Sequence, residues 1–182
     1  DPRKSETADK CHEHIALLPG TDAALALALV HELITHDWLD HDYIARHTLG
    51  WEALRERALQ WPPERAAEVC GVPMQQIVDL ARAYGTTQPA AIRLNYGMQR
   101  VRGGGNAVRA VACLPALVGA WRHRAGGMLL SSSGHFPVQR AALHRPDLLA
   151  GRTPRLLNMI TVGDDLQRES SRRGRTRAHE PT

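Results

Sequence analysis

The sequence predicts an α/β fold in which helices flank a parallel sheet. Two short apolar runs indicate buried strands: residues 14–18, HIALL, which stop at Pro19-Gly20, and residues 91–96 within PAAIRLNYG. Helical patterns fill the interval between these runs, and another helical pattern follows the second run. The order strand, helices, strand, helix is typical of an α/β domain.

Five helices are predicted between the two strands. Residues 22–36 carry Ala, Leu and Ile on most faces, which indicates a helix largely covered by protein. The other four follow from amphipathic spacing and from Gly and Pro residues at helix boundaries. They are residues 40–47, residues 51–60, a helix from residue 63 or 64 to 71, and VPMQQIVDLARAY, which ends at Gly85.

The second strand leads into the loop GMQRVRGGG, and a helix follows from Asn106 to about Trp121 with a kink at Pro115. After this helix the sequence is rich in Gly, Ser and Pro, and regular patterns fade. We predict one structured unit over residues 1–159 and a polar, Arg-rich, disordered tail over residues 160–182.

The composition argues against several classes of function. The 182 residues have a formal charge of +4 and are 43% hydrophobic, which suffices for a real core. Aromatic residues make up 4%, and much of the basic excess lies in the tail, so nucleic-acid binding is only a weak alternative. The longest apolar runs, residues 23–30 and 111–121, are too short for a membrane span. The tail arginines are Arg168, Arg172, Arg173, Arg175 and Arg177.

The cysteines and the start of the chain indicate its context. Cys11, Cys70 and Cys113 are odd in number and far apart, which excludes a disulfide framework or a CxxC metal site within this chain. This usage favours a reducing compartment, so we expect a cytoplasmic protein. The chain opens with neither a Met nor a signal peptide, and we interpret it as an interior part of a longer protein.

Three short motifs do not support a catalytic or metal site. HELITH, residues 31–36, separates its two His by five positions, which places them about 140° apart around a helix and prevents a shared metal. CHEH, residues 11–14, indicates a surface strand and would need metal ligands from elsewhere. SSSGHFP, residues 131–137, lacks the GxSxG elbow of a nucleophilic Ser, although it could line a ligand site. We assign no catalytic residue and no metal ligand.

The loop GMQRVRGGG has the position of a phosphate-binding loop. It follows a predicted strand and precedes a helix, where backbone N–H groups and the helix dipole favour a phosphate. It matches neither GxGxxG nor the Walker pattern, but Arg100 and Arg102 could bind a pyrophosphate. Because parallel strands end at one sheet edge, Pro19 and Tyr96 are predicted to lie close together.

Four stretches together resemble the molybdopterin oxidoreductase family, which contains dimethyl sulfoxide reductase, formate dehydrogenases and assimilatory nitrate reductases. They are DPRKSETADKCHEHIALLPGTDAALALALVHELI, RHTLGWEALRERA, AIRLNYGMQRVRGGGNAVRAVACLPALVGAW and GGMLLSSSGHFP. The resemblance covers residues 1 to about 159 in the family's order. It implies a dinucleotide-binding-like domain, here incomplete, that holds part of a molybdenum bis(molybdopterin guanine dinucleotide) cofactor.

The resemblance also implies site residues, and in one place the sequence departs from the family pattern. His12 stands where an Asp usually precedes the PGTD strand. The loop 133–135 would approach the metal, Gly20-Thr21-Asp22 would hold a guanine, and the residues after the second strand would lie near the pterin and pyrophosphate. The cofactor-binding residues are Asp1, Pro2, Arg3, Gly20, Thr21, Asp22, Tyr96, Gly97, Gln99, Arg100, Ser133, Gly134 and His135.

The family comparison further implies what the chain lacks. Members carry a molybdenum ligand and, in many cases, an iron–sulfur cluster upstream, and a domain for the second pterin downstream. The text after Asn158-Met159 does not fit the family. We therefore interpret the chain as a fragment of a formate dehydrogenase-like or nitrate or sulfoxide reductase-like enzyme, inactive alone, whose partners are the cofactor and the remaining domains. The alternative is a non-catalytic α/β nucleotide-binding or interaction module.

Overall fold

The computed structural model describes residues 1–152 and 157–167. The chain forms two compact units, Asp1–Phe136 and Pro137–Thr182. The first unit holds six α-helices and two strands. They are α1 (Asp22–Thr35), α2 (His41–His47), α3 (Trp51–Leu59), α4 (Pro63–Cys70), α5 (Met74–Thr86), β1 (Ala91–Arg93), α6 (Gly104–Leu117) and β2 (Gly127–Leu129).

The six predicted helices are confirmed. Their boundaries could be predicted because they depend on residues at the helix ends. Pro63 is the first residue of α4, where its missing N–H costs nothing, and Gly71 follows α4 with a φ of 67° that favours glycine. Only α6 differs appreciably from its prediction: it begins at Gly104 and ends at Leu117, short of Trp121. Pro115 lies near that end, and the helix continues through it.

Helix α1 is the centre of the first unit. It packs against α3, α4, α5 and α6. Ala28 and Leu33 are completely buried, and Val30 is 1% exposed. The apolar residues on most faces of α1 therefore cover several neighbours at once, as the sequence predicts.

Gly85 permits a close approach between α5 and α1. A Cβ atom at this position would lie 2.8 Å from Leu33 Cδ2 and 2.8 Å from Trp38 Cβ. Carbon atoms in ordinary contact are about 3.5–4.0 Å apart, so no larger residue fits without displacing its neighbours. Gly85 is therefore a point of close packing within α5, which runs on to Thr86.

The sheet is parallel, as predicted, but its strands differ from the prediction. Ala91 pairs with Gly127 and Arg93 pairs with Leu129. The strand predicted at residues 91–96 ends at Arg93, and both Ala91 and Arg93 are exposed rather than buried. Strand β2 was not predicted, because its three residues lie within a Gly- and Ser-rich stretch that carries no periodic signal.

The strand predicted at residues 14–18 is wrong. These residues form no strand and are held by isolated bonds: the Asp1 ammonium group donates to the Ile15 carbonyl (3.2 Å), and the Leu18 N–H donates to the Cys70 carbonyl (2.8 Å). Leu17 is 7% exposed and belongs to the core. Within the apolar run, Leu17 and the partly buried Ile15 therefore pack against the core without strand pairing, whereas Leu18 is 55% exposed.

Helix α2 is tied to the connection between α6 and β2 through Asp40. Its Oδ1 accepts a hydrogen bond from the Tyr43 N–H (2.8 Å), and its Oδ2 accepts one from Arg122 Nε (2.7 Å). Arg122 Nη2 also donates to Asp42 Oδ2 (2.7 Å). The hydrogen bond from Arg122, followed by that from Tyr43, holds the pKa of the Asp40 carboxyl below its usual value.

The second unit has little regular structure in its described residues. It contains α7 (Arg140–His144), and residues 162–167 are helical. The tail arginines from Arg168 onward lie outside the described residues, so the predicted disorder of the tail and its boundary at residue 159 stay predictions. Within the described residues, no helix has both the length and the apolar character needed to cross a membrane.

Candidate functional site

A cleft of about 410 Å³ lies where the predictions place a ligand site, beside the turn before α1 and the C-terminal end of β1. One wall comes from the N-terminal residues and this turn, and the other comes from β1 and the loop that follows it. The lining residues are Asp1, Pro2, Pro19, Gly20, Asp22, Arg93, Leu94, Asn95, Gly97, Met98 and Val101. Pro19 therefore lies across the cleft from the end of β1, although Tyr96 itself does not line the cleft and residues 14–18 form no strand.

The turn before α1 fixes the position of Asp22. The Thr21 hydroxyl donates to the Leu18 carbonyl (2.7 Å), and the Thr21 N–H donates to the same oxygen (3.2 Å). Gly20 has a φ of 84°, and a Cβ atom there would lie 3.8 Å from Val101 across the cleft. These contacts form a tight turn, and α1 begins immediately after it.

The Asp22 carboxylate is not the helix cap. Asp22 is the first residue of α1, the N-cap position is Thr21, and no side chain caps the helix there. Asp22 is half-buried, and among the described residues no hydrogen bond or ion pair involves its carboxylate. Burial chiefly raises the pKa of the neighbouring Cys70 thiol, and the Asp22 charge adds to this effect. A carboxylate held in a cleft without a protein partner is free to accept hydrogen bonds from a ligand.

Arg93 and Asn95 form the opposite wall and were not predicted as site residues. The Arg93 guanidinium donates through Nη1 to the carbonyls of Leu94 and Leu130, which ties the end of β1 to the chain after β2. The Asn95 side-chain oxygen accepts from the Tyr96 N–H (2.8 Å) and shapes the start of the loop. Both residues lie near the end of the strand predicted in PAAIRLNYG, and this position is the sequence signal that could have identified them as site residues.

The cleft brings together some of the predicted residues. Asp1, Pro2, Gly20, Asp22 and Gly97 line it. Arg3 and Thr21 adjoin it without lining it; the Arg3 N–H donates to Asp1 Oδ1 (3.0 Å).

The remaining predicted residues do not line the cleft. Tyr96 is 42% exposed. Gln99 and Arg100 line a separate, open depression with Gly105. Ser133, Gly134 and His135 form a short turn, in which the His135 ring packs edge-on against Phe136 at 5.1 Å. Their assignment as cofactor-binding residues stays a prediction.

The histidines of HELITH have different partners. His31 Nδ1 lies 3.3 Å from the Ala58 carbonyl oxygen, whereas His36 lies 3.3 Å from Glu32 and stacks on Trp38. Over residues 1–152 and 157–167, no group of three or more His, Cys, Asp or Glu side chains could hold a metal ion.

Comparison with known proteins identifies relatives, although no family profile matches the chain. A probable oxidoreductase, YoaE, of Bacillus subtilis (strain 168) is 42% identical over 163 residues, which make up 90% of this chain and 24% of that protein. The alpha subunit of the F420-dependent formate dehydrogenase of Methanocaldococcus jannaschii is 32% identical over 119 residues, 65% of this chain and 18% of that subunit. This chain thus spans about a quarter or less of the length of these relatives.

A solved structure gives the same result. Acetylene hydratase from Pelobacter acetylenicus superposes with a TM-score of 0.66 and 30% sequence identity, over 69% of this chain and 17% of that one. Dimethyl sulfoxide reductase DmsA of Haemophilus influenzae is also similar, with 32% identity over 139 residues. These comparisons confirm the family resemblance drawn from the sequence and the α/β fold class.

Proposed function

From the homology of this chain to a segment of the molybdopterin oxidoreductases, we propose that it forms part of a molybdenum-dependent oxidoreductase and binds part of a molybdopterin guanine dinucleotide. The proposed contact is with the guanine end of the cofactor, in the cleft between the turn before α1 and the end of β1. The chain spans only a fraction of its relatives, so the proposal concerns a segment of a larger enzyme.

The observation that carries the proposal is the Asp22 carboxylate, which has no partner among the described residues. A guanine presents two adjacent N–H donors along one edge, and a carboxylate offers two oxygen acceptors at a matching spacing. Asp22 is fixed by the first turn of α1 and lines the cleft, so its donor–acceptor chemistry fits this base. A cytosine does not present the same pair of donors.

The other residues that line the cleft also suit a bound guanine nucleotide. Gly20 and Gly97 line the cleft without side chains, so the backbone can lie close to a flat base. Asp1 and Pro2 close the cleft beside Asp22. Gln99 and Arg100, beyond the end of β1, would contact the pyrophosphate through charge-assisted hydrogen bonds.

When bound, the cofactor supplies two-electron chemistry at molybdenum, while the residues of this chain bind and orient its nucleotide end. The loop of Ser133, Gly134 and His135 is assigned to the approach toward the metal. The molybdenum ligand, any iron–sulfur cluster and the grip on the second pterin are assigned to other domains of the larger enzyme.

The substrate class of the larger enzyme is proposed from the range of its relatives. Its relatives include formate dehydrogenases, dimethyl sulfoxide reductases and an acetylene hydratase, so the shared segment serves different reactions. We propose a formate dehydrogenase-like activity first and a nitrate or sulfoxide reductase-like activity second, in the cytoplasm. The isolated chain is expected to show no turnover with dyes and formate or nitrate.

The test compares nucleotides on the 182-residue chain. Calorimetric titration should show binding of GMP and at least tenfold weaker binding of CMP, about 1.4 kcal/mol of discrimination. Equal affinity for the two nucleotides, or no binding of either, would contradict the guanine assignment. Molybdenum and pterin analysis of a longer protein containing this segment separates the enzyme from the alternative, a non-catalytic nucleotide-binding or interaction module, which would carry neither.

A further inference from the structure

A second concave site in the first unit is lined by residues of α1, α3 and α6. It is a groove of about 730 Å³, and it shares no lining residue with the cleft that contains Asp22. Its lining residues are Ala23, Leu27, Thr48, Leu49, Gly50, Trp51, Ala53, Leu54, Arg57, Asn106, Arg109, Ala110, Cys113, Ala116 and Leu117. The volume falls within the range of about 300–1,000 Å³ that is typical of sites for small ligands.

The groove is open because small residues are among those that line it. α3 and α6 both pack on α1. The α6 residues that line the groove include Ala110 and Ala116, whose small side chains occupy little of its space. Leu49 precedes α3 at the rim of the groove and is fully exposed, which adds apolar surface there.

The charges at the groove are all of one sign. Arg57 on α3 and Arg109 on α6 are its charged lining residues, and no carboxylate lines it. Both arginines are exposed, and in the described part of the chain neither side chain makes a hydrogen bond or an ion pair. The Cys113 thiol is occupied, since it donates to the Arg109 carbonyl (3.3 Å), and burial raises its pKa, so the groove offers no reactive nucleophile.

We propose that this groove binds a small amphiphile with one anionic head group and an apolar body. The apolar floor removes the body from water, and the two guanidinium groups donate charge-assisted hydrogen bonds to a carboxylate, sulfonate or phosphate. Asn106 contributes a neutral amide beside Arg109. The inference is independent of the proposed cofactor function, because the two sites have no residue in common.

Decanoate is the probe, titrated calorimetrically into the 182-residue chain below its micellar range. We expect one site, with decan-1-ol binding at least about tenfold more weakly because it lacks the charge. Arg57→Gln and Arg109→Gln should each weaken decanoate binding by about tenfold. Arg55→Gln is the matched control: it removes the same charge from the same helix at an exposed residue outside the groove, and it should leave binding unchanged.

A second variant tests the groove without changing charge. Ala110→Leu fills part of the groove from α6 and should abolish decanoate binding, while circular dichroism and the melting transition confirm that the chain is folded. The proposal is overturned if decanoate does not bind, or if decan-1-ol binds equally well. It is also overturned if Arg57→Gln and Arg55→Gln have the same effect, or if Ala110→Leu binds decanoate like the parent chain.

Discussion

Replacing Asp22 by Asn separates a ligand contact from a structural role. The carboxylate has no protein partner in the described residues, and the N-cap of α1 is Thr21, so the substitution breaks no hydrogen bond of the fold. Its structural cost is the loss of a negative charge in the first turn of a helix, which is worth about 0.3–1 kcal/mol. The melting temperature should therefore change little.

The effect on guanine binding should be larger. Asn offers one acceptor and one donor, so one of the two guanine N–H groups loses its acceptor and meets an N–H group instead. A hydrogen bond to a charged group is worth about 1.5–3 kcal/mol, and the half-buried position of Asp22 favours the lower part of that range. GMP affinity should fall by about tenfold or more, whereas CMP affinity should be unchanged.

The assay is calorimetric titration of GMP and CMP against the parent chain, Asp22→Asn and the control Asp79→Asn. Asp79 is an exposed carboxylate on α5 that accepts a hydrogen bond from Gln75, and it lines neither concave site. If Asp22→Asn keeps the parent preference for GMP over CMP, the carboxylate does not bind the base. If Asp79→Asn weakens GMP as much as Asp22→Asn does, the effect is one of net charge.

Three further predictions concern the fold. Gly85→Ala should destabilise the chain by about 1–2 kcal/mol, because the new methyl group meets Leu33 and Trp38 at 2.8 Å. Gly105→Ala, with nothing within 4 Å of the new methyl group, should be neutral or stabilising by up to about 1 kcal/mol. Urea unfolding of both variants checks this difference in sign. Tyr84→Phe should leave stability unchanged or raise it by about 1 kcal/mol, since the Tyr84 hydroxyl is buried and has no hydrogen-bond partner among the described residues; a lower urea midpoint would show that it does have one. The Asp40 carboxyl has a lowered pKa, so its contribution to the free energy of unfolding is fully present above the unfolded pKa near 3.8 and is lost as the pH falls through the lower folded pKa. Asp40→Asn should therefore flatten the loss of stability below about pH 4. Parallel curves of stability against pH for the two proteins in acid would contradict this.

The helices could be predicted from the sequence because their signals are local. Pro63, Gly71 and the apolar residues of α1 each act within one helix, and each predicted its element correctly. The strands could not be predicted in the same way. Residues 14–18 and 91–96 both read as buried apolar runs, but only pairing with a distant segment turns a run into a strand, and residues 127–129 carried no signal of that pairing.

The candidate site was predicted in part for the same reason. Asp22 and Gly97 follow from motifs that are contiguous in the sequence, and the cleft brings them together. Arg93 lines the cleft while its guanidinium donates to the carbonyls of Leu94 and Leu130, and Leu130 is remote in the chain. A contact of this kind depends on tertiary structure, and residue spacing does not reveal it.

The parallel sheet has a consequence for local opening of the structure. β1 and β2 pair over only three residues each, with Ala91 and Arg93 exposed, whereas α1 packs against four other helices and contains completely buried residues. The cleft wall that carries Arg93 and Asn95 is built on this short pairing. We therefore expect the amides of β1 and β2 to exchange with solvent before those of α1, so that a ligand in the cleft would slow exchange most strongly at the sheet.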